Sequence, residues 1–125
     1  MEPITMNKAT ERRLAGYERR YQDLAEQIVD IGFVSAGSIT QRYTRCTNAK
    51  CRCRGNPPQM HGPYYQWTAK VEGKTVTKRL SEKEVTLYKK WIANDRKLSA
   101  LIAKMREVAA KAEVLILEEE VKSQG

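Results

Sequence analysis

The sequence predicts an α+β fold, with one helix at each end of the chain and a three-stranded antiparallel β-meander between them. Near both ends, apolar residues recur at spacings of three and four, as they do in amphipathic helices. The middle of the chain alternates in polarity and is rich in Thr, Tyr and Val, a pattern typical of strands. We divide the chain into residues 1–32 (N-terminal amphipathic helix), 33–80 (meander with a Cys/His loop) and 81–125 (long C-terminal helix).

The first helix is predicted over residues 8–31. Gly32 follows as its terminator, because glycine readily adopts the left-handed conformation just past a helix end. The apolar positions that would lie on one stripe of this helix are Leu14, Tyr17, Tyr21, Leu24, Ile28 and Ile31.

Three strands are predicted in the middle segment, over residues 38–45, 64–71 and 74–80, with a loop over 46–63. Glu72-Gly73 is a two-residue turn that joins the last two strands into a hairpin. This turn places Trp67 opposite Lys78 on a largely apolar face, which should pack on a helix. The other face is polar and basic, and either contacts a ligand or is simply solvated. It carries Tyr64, Gln66, Thr68, Lys70, Thr75, Thr77 and Arg79.

The last helix begins at a capping box formed by Ser81 and Glu84 and runs for about 40 residues, roughly 60 Å. A helix of this length extends beyond a three-stranded sheet. The remainder must therefore pack on the first helix or on another copy, which makes a homodimer through coiled-coil-like helices possible. Its stripe comprises Tyr88, Trp91, Leu98, Ile102, Met105, Ala109, Ala112 and Ile116, widened by Leu101, Val108 and Leu115.

The excess positive charge is concentrated in the middle of the chain. The 125 residues have a formal net charge of +8, and residues 46–90 carry ten basic against three acidic side chains. Basic side chains interleaved with aromatic ones are typical of nucleic-acid-binding surfaces, since cations neutralise phosphates and rings stack on bases. The predicted contact residues are Arg45, Lys50, Arg52, Arg54, Lys70, Lys78 and Arg79, with Tyr64 or Tyr65 stacking.

The composition argues against a membrane protein. The longest unbroken apolar run is residues 114–117, far short of the roughly 20 residues that a transmembrane helix needs. The N-terminal residues contain no apolar signal-peptide region. We expect a cytoplasmic protein with reduced thiols.

All three cysteines and the single histidine fall within sixteen positions, in the pattern C-x4-C-x-C-x7-H. Three thiolates and one imidazole are a common tetrahedral set for zinc, and a closed set of four leaves no open position for a substrate. The sequence therefore predicts a structural Zn²⁺ site held by Cys46, Cys51, Cys53 and His61. Such an ion would also hold together a loop that has few apolar residues.

Two other interpretations of these four residues stay open. They can be three reduced cysteines and a histidine that caps a turn, since free cysteine is often buried and inert. A Cys–His catalytic dyad is less favoured, because nothing in the sequence selects one cysteine as a nucleophile. We expect no enzymatic activity.

The middle segment resembles an uncharacterised family of small bacterial proteins with Cys-rich, HGPYY-like and GKT motifs. The resemblance covers roughly residues 36–105. It implies that residues 46–80 form one structural unit and that the protein is linked to transposases or other mobile elements. The matching segments are Arg45-Cys46, Cys51-Arg52-Cys53, 61–65 (HGPYY), 73–75 (GKT), Arg79-Leu80 and 91–98 (WIANDRKL).

The function that these observations favour is an accessory protein that binds nucleic acid, DNA in preference, within a mobile element or its recombination complex. The zinc loop and the basic hairpin would form the contact surface, and a recombinase or transposase would be the partner. The alternative is a non-enzymatic coiled-coil adaptor whose basic middle segment binds an acidic protein.

Overall fold

A computed structural model describes residues 6–124, and it confirms the predicted α+β layout. Residues 1–5 and 125 of the predicted terminal segments lie outside the described residues. A short 3₁₀ turn, Arg52–Arg54, lies in the loop between the first two strands. The elements in order are α1 (Lys8–Val29), β1 (Ser38–Thr44), β2 (His61–Val71), β3 (Lys74–Leu80) and α2 (Glu82–Gln124).

The chain forms two compact units. The sheet unit, Phe33–Asp95, contains the three strands and the first part of α2. Among the described residues, the helical unit consists of 6–32 and 96–124, so it contains α1 and the remainder of α2.

The sheet has the order β1-β2-β3, and both strand pairs are antiparallel. The predicted hairpin register is confirmed, with Trp67 opposite Lys78. Glu72 and Gly73 both have positive φ angles, 52° and 78°, as a type I′ turn requires. β2 starts at His61, three residues earlier than predicted, because the pairing with β1 extends to His61 opposite Thr44.

One face of the sheet packs on the first part of α2. The Trp67 and Tyr88 rings lie 5.2 Å apart, and the Trp67 indole N–H donates to the carbonyl of Ala36 at 2.8 Å. Ala69 and Leu80 are buried on the same face. This arrangement confirms the expectation that the apolar face of the hairpin packs on a helix.

The capping box at the start of α2 is also confirmed. The backbone N–H of Glu84 donates to Ser81 Oγ at 3.2 Å, and the backbone N–H of Ser81 donates to Glu84 Oε1 at 3.1 Å. Two amides that have no partner within the helix are thereby satisfied.

The helical unit has an aliphatic core in which Leu24 of α1 packs with Leu101 and Val108 of α2. Leu115 is buried as well, whereas Ile116 is 37% exposed. The most deeply buried residues of this part of α2 are therefore those at the predicted margin of the stripe, Leu101, Val108 and Leu115, while Met105 of its predicted centre packs against the same core.

The predicted end of α1 was wrong. The helix ends at Val29, Asp30 follows as the C-cap in a right-handed conformation, and the backbone N–H of Ile31 donates to the carbonyl of Ile28 at 3.1 Å. Gly32 is not among the residues with positive φ. Within residues 6–124, neither helix combines the length and apolar character needed to cross a membrane.

Candidate metal centre and basic sheet face

The four predicted ligands form one cluster. Single donor atoms of Cys46, Cys51, Cys53 and His61 all lie within 4.8 Å of one another. Cys46 Sγ lies 3.6 Å from Cys53 Sγ, and Cys51 Sγ lies 3.1 Å from His61 Nε2. In a tetrahedral site with metal–sulfur bonds of about 2.3 Å, sulfur atoms lie about 3.8 Å apart. The cluster therefore has the size of a four-coordinate metal site and can hold a metal ion.

The ligands come from two kinds of local structure. Cys46, Cys51 and Cys53 lie in the loop over residues 45–60, which we call the metal loop, whereas His61 is the first residue of β2. Gly62 follows His61 with a φ of 131°, and a Cβ atom there would lie 2.8 Å from the carbonyl oxygen of Arg42. A side chain at position 62 would therefore push His61 and the start of β2 away from β1.

The metal loop is also held by hydrogen bonds. The Arg54 guanidinium donates twice to the carbonyl of Cys46, at 3.0 and 2.8 Å. The backbone N–H of Gln59 donates to the carbonyl of Arg52 at 3.0 Å. The expectation that a metal ion holds this loop together is therefore incomplete. These hydrogen bonds stabilise the loop too.

The surroundings of Cys51 favour its thiolate form. Hydrogen bonding, first from the backbone of Cys53 and then from the Cys46 side chain, lowers the pKa of Cys51 to about 6. A hydrogen bond with the backbone of Asn48 lowers the pKa of Cys46. Hydrogen bonds with the Cys51 and Cys53 side chains have the opposite and larger combined effect, so the pKa of Cys46 is raised above its usual value. Of these two thiols, Cys46 therefore holds its proton more tightly than Cys51 does. A bound cation would displace that proton, since metal ligands must be deprotonated.

Burial and hydrogen bonding distinguish Cys53 from the other ligands. Its side chain is fully buried, at 0% exposure. The backbone N–H of Cys46 donates to its sulfur at 3.3 Å. This hydrogen bond and the burial fix the position of the Cys53 sulfur within the cluster.

The second candidate site is the sheet face opposite the one that packs on α2, and we call it the open face. Arg42 of β1 lies directly opposite Tyr64 of β2. The guanidinium of Arg79, on β3, lies 3.9 Å from the centroid of the Tyr64 ring. The residues that share this face are Ser38, Thr40, Arg42, Tyr64, Gln66, Thr68, Lys70, Thr75, Thr77 and Arg79.

The residues predicted to contact nucleic acid lie in three parts of the structure. Tyr64, Lys70 and Arg79 lie on the open face. The exposed cations Lys50, Arg52 and Arg54 lie in the metal loop, with Arg45 at its start.

Lys78, like Tyr65, is a predicted contact that joins neither group. It lies on the sheet face that packs on α2, where its Nζ is 3.0 Å from Glu84 Oε2 and 5.7 Å from the centroid of the Tyr88 ring. Among the loop cations, Arg54 is engaged with the Cys46 carbonyl.

Sequence reasoning missed Arg42 as a member of the open face. The sequence predicts that Arg42 lies in the first strand, but it does not identify the residue opposite Arg42 on the neighbouring strand. The register between β1 and β2 is set across the metal loop, and no short turn specifies it. A signal did exist, since Arg42 alternates with Thr40 and Ser38 along the strand and therefore shares their face.

The family match agrees with the resemblance of the middle segment to an uncharacterised family. A model described as a domain of unknown function, DUF6788, matches residues 10–90. The chain belongs to this family. The matched range contains most of α1, all three strands, the metal loop and the start of α2. No curated protein and no solved structure shows significant similarity to the chain.

Proposed function

We propose that this protein is a non-enzymatic nucleic-acid-binding protein, with DNA the favoured ligand, in which a structural zinc ion supports a basic sheet surface. The observation that carries the proposal is the row of Arg42, Tyr64 and Arg79 across the exposed side of the sheet. Guanidinium groups neutralise phosphates, and a base would stack on the face of the Tyr64 ring that Arg79 does not cover. Exposed Lys50 and Arg52 in the metal loop add positive charge to the same unit.

Zinc is the metal that the donor set favours. Three sulfur atoms and one imidazole nitrogen form a soft set that suits zinc, whereas magnesium and calcium prefer oxygen ligands. Four protein ligands fill a tetrahedral shell, which supports a structural role. Because three thiolates exceed the +2 charge of zinc by one, nearby Lys50 and Arg52 would offset the remaining negative charge.

The test of nucleic-acid binding is a fluorescence anisotropy titration with single-stranded DNA, duplex DNA and single-stranded RNA at several salt concentrations. We expect the affinity to fall steeply with salt, because bound cations release counterions. Replacing Arg42 and Arg79 by Glu should weaken binding by at least about tenfold and reduce the log–log salt slope by about 1.4–1.8.

A matched control has the same change in net charge within the helical unit. The double variant Arg19→Glu, Arg20→Glu alters two exposed residues of α1 and should retain most of the binding. Equal losses in both double variants would show that the open face is not the contact surface. Absence of salt-sensitive binding in the unmodified protein would overturn the proposed function.

We also propose that the protein acts beside a recombinase or transposase. This part rests on the resemblance of the Cys-rich and HGPYY segments to a family associated with mobile elements. Affinity purification after nuclease treatment provides the test. If such an enzyme is recovered only when DNA is added back, both proteins bind in one DNA complex, which would support the proposal.

The second candidate function is an adaptor for an acidic protein. It is favoured by the exposed apolar side chains of α2, which suit protein contacts. A stable acidic partner that remains after nuclease treatment, together with no binding to any of the three nucleic acids, would select the adaptor.

A further inference from the structure

The C-terminal part of α2 is apolar on more sides than α1 covers. Residues 114–117 are four consecutive apolar residues, and consecutive residues point about 100° apart around a helix. Leu115 is 6% exposed, but Val114 and Leu117 are 54% and 63% exposed. A helix that is apolar on most sides is normally buried on more than one of them.

The exposed apolar side chains form a second stripe along this helix. Ala110, Val114, Leu117 and Val121 are all exposed and follow one another at spacings of four, three and four, which is the heptad spacing of a coiled-coil seam. We call these four residues the outer stripe. Each lies two positions after a residue of the α1-facing side, such as Leu115 before Leu117. The outer stripe is therefore about 200° around the helix from that side.

We propose that the outer stripe is a homodimer interface in which α2 packs antiparallel on α2 of a second copy. In this arrangement Val114 of each copy lies opposite Leu117 of the other, and Ala110 lies opposite Val121. Every position of the stripe then meets an apolar partner, over about 17 Å of each helix. The proposal does not depend on nucleic-acid binding.

The charges that flank the stripe favour the antiparallel orientation. In a parallel pair, Glu113 would lie beside Glu118 of the second copy and Arg106 beside Lys111, so both flanks would be repulsive. In the antiparallel pair, Lys111 lies beside Glu118 of the second copy, twice in the dimer. On the other flank, Glu113 lies near Glu120 of the second copy, and these two carboxylates repel each other. The attraction between the helices therefore comes from the Lys111–Glu118 pairs.

The first test is sedimentation equilibrium of the full-length, zinc-loaded protein over a range of concentrations. We expect a monomer–dimer equilibrium, and Leu117→Glu should raise the dissociation constant at least about tenfold, because it places a charge in the seam. Leu87→Glu is the matched control, since Leu87 is a 46% exposed leucine of the same helix outside the stripe. A monomer at every concentration, or equal effects of the two variants, would overturn the proposal.

The orientation is tested with Glu118→Lys, an exposed position whose substitution leaves the apolar packing intact. In the antiparallel dimer this change creates two Lys–Lys contacts and should raise the dissociation constant several-fold. Adding Lys111→Glu should restore the original value. In a parallel dimer Glu118→Lys would instead tighten association, because the introduced ammonium group would face Glu113 of the second copy. Tighter association would therefore overturn the proposal, even if Leu117→Glu failed to fold.

Discussion

Both units of the chain bury apolar side chains, but the sheet unit also buries a candidate metal ligand. In the helical unit the buried cluster is aliphatic, formed by Leu24, Leu101 and Val108. In the sheet unit the largest fully buried side chain among the described residues is the thiol of Cys53, a candidate metal ligand. The sheet unit therefore contains, besides its buried apolar side chains, a cluster that can hold a metal ion and whose occupation would be coupled to folding, whereas the helical unit is stabilised by hydrophobic burial.

The largest expected effect is the loss of the metal centre. Cys53→Ser should abolish stoichiometric metal binding and unfold the sheet around the metal loop, because zinc binding and folding share one free energy in small sites. Metal content per chain and the dispersion of amide resonances from residues 38–80 provide the measurements. Treating the unmodified protein with a chelator should produce the same spectrum.

The control for this variant is Thr47→Ala, a change within the metal loop at a residue that is not among the four ligands. It should leave one metal ion per chain. If Cys53→Ser retained both the ion and the dispersed spectrum, the cluster would not be a structural metal site.

For the helical unit we expect the opposite: a substitution in its core should lower stability without affecting metal binding. Leu101→Ala should lower the free energy of unfolding by about 2–4 kcal/mol, through lost burial and the cavity that remains, while metal content stays unchanged. Urea denaturation at low protein concentration measures the loss. Leu87→Ala, at a half-exposed leucine, should cost less than half as much, and an equal cost would argue against a core at Leu101.

A smaller effect is expected when the sheet unit loses only the hydrogen bond of the Trp67 indole. Trp67→Phe removes the indole donor to the Ala36 carbonyl but keeps a ring against Tyr88, so it should cost about 0.5–1.5 kcal/mol. Trp67→Ala removes the ring as well and should cost about 3–5 kcal/mol. Thermal denaturation separates these values, and similar losses for both variants would mean that ring packing contributes little.

The smallest effect concerns the ion pair between Lys78 and Glu84. The hydrogen bond from Lys78, followed by those from Ser81, lowers the pKa of Glu84 from 4.5. A carboxylate whose pKa is lowered by folding stabilises the protein above pH 4.5, and this contribution is lost as the pH falls through the folded value. Glu84→Gln keeps a capping side chain and should lower the melting temperature slightly at pH 7.

The melting temperatures of the two proteins should converge as the pH falls through the folded pKa of Glu84, which lies below 4.5. They should also converge in high salt, since exposed ion pairs are screened. A difference that persists at low pH would assign the effect of Glu84→Gln to the capping box and not to the ion pair.

Local signals in the sequence predicted the elements well. Glu72-Gly73 specified the β2–β3 register, because a two-residue turn leaves one way to align the strands. The four soft ligands lie close together in the sequence, so their meeting in one cluster followed from short chain distances.

Longer-range relationships could not be predicted in the same way. The neighbours of Arg42 depend on pairing across the metal loop, and the central stripe of α2 depends on which side α1 occupies. Lys78 shows a further limit, since its face was predicted correctly from the hairpin but its engagement with Glu84 was not foreseen.

The sequence by itself determined the α+β layout, the turn chemistry and the identity of the candidate ligands, because these depend on residue types within a few positions of one another. The tertiary structure alone decided that Arg42 and Arg79 flank Tyr64, and which side of α2 is buried. These arrangements depend on contacts between distant segments, and the free energy of such contacts is not encoded in any local pattern.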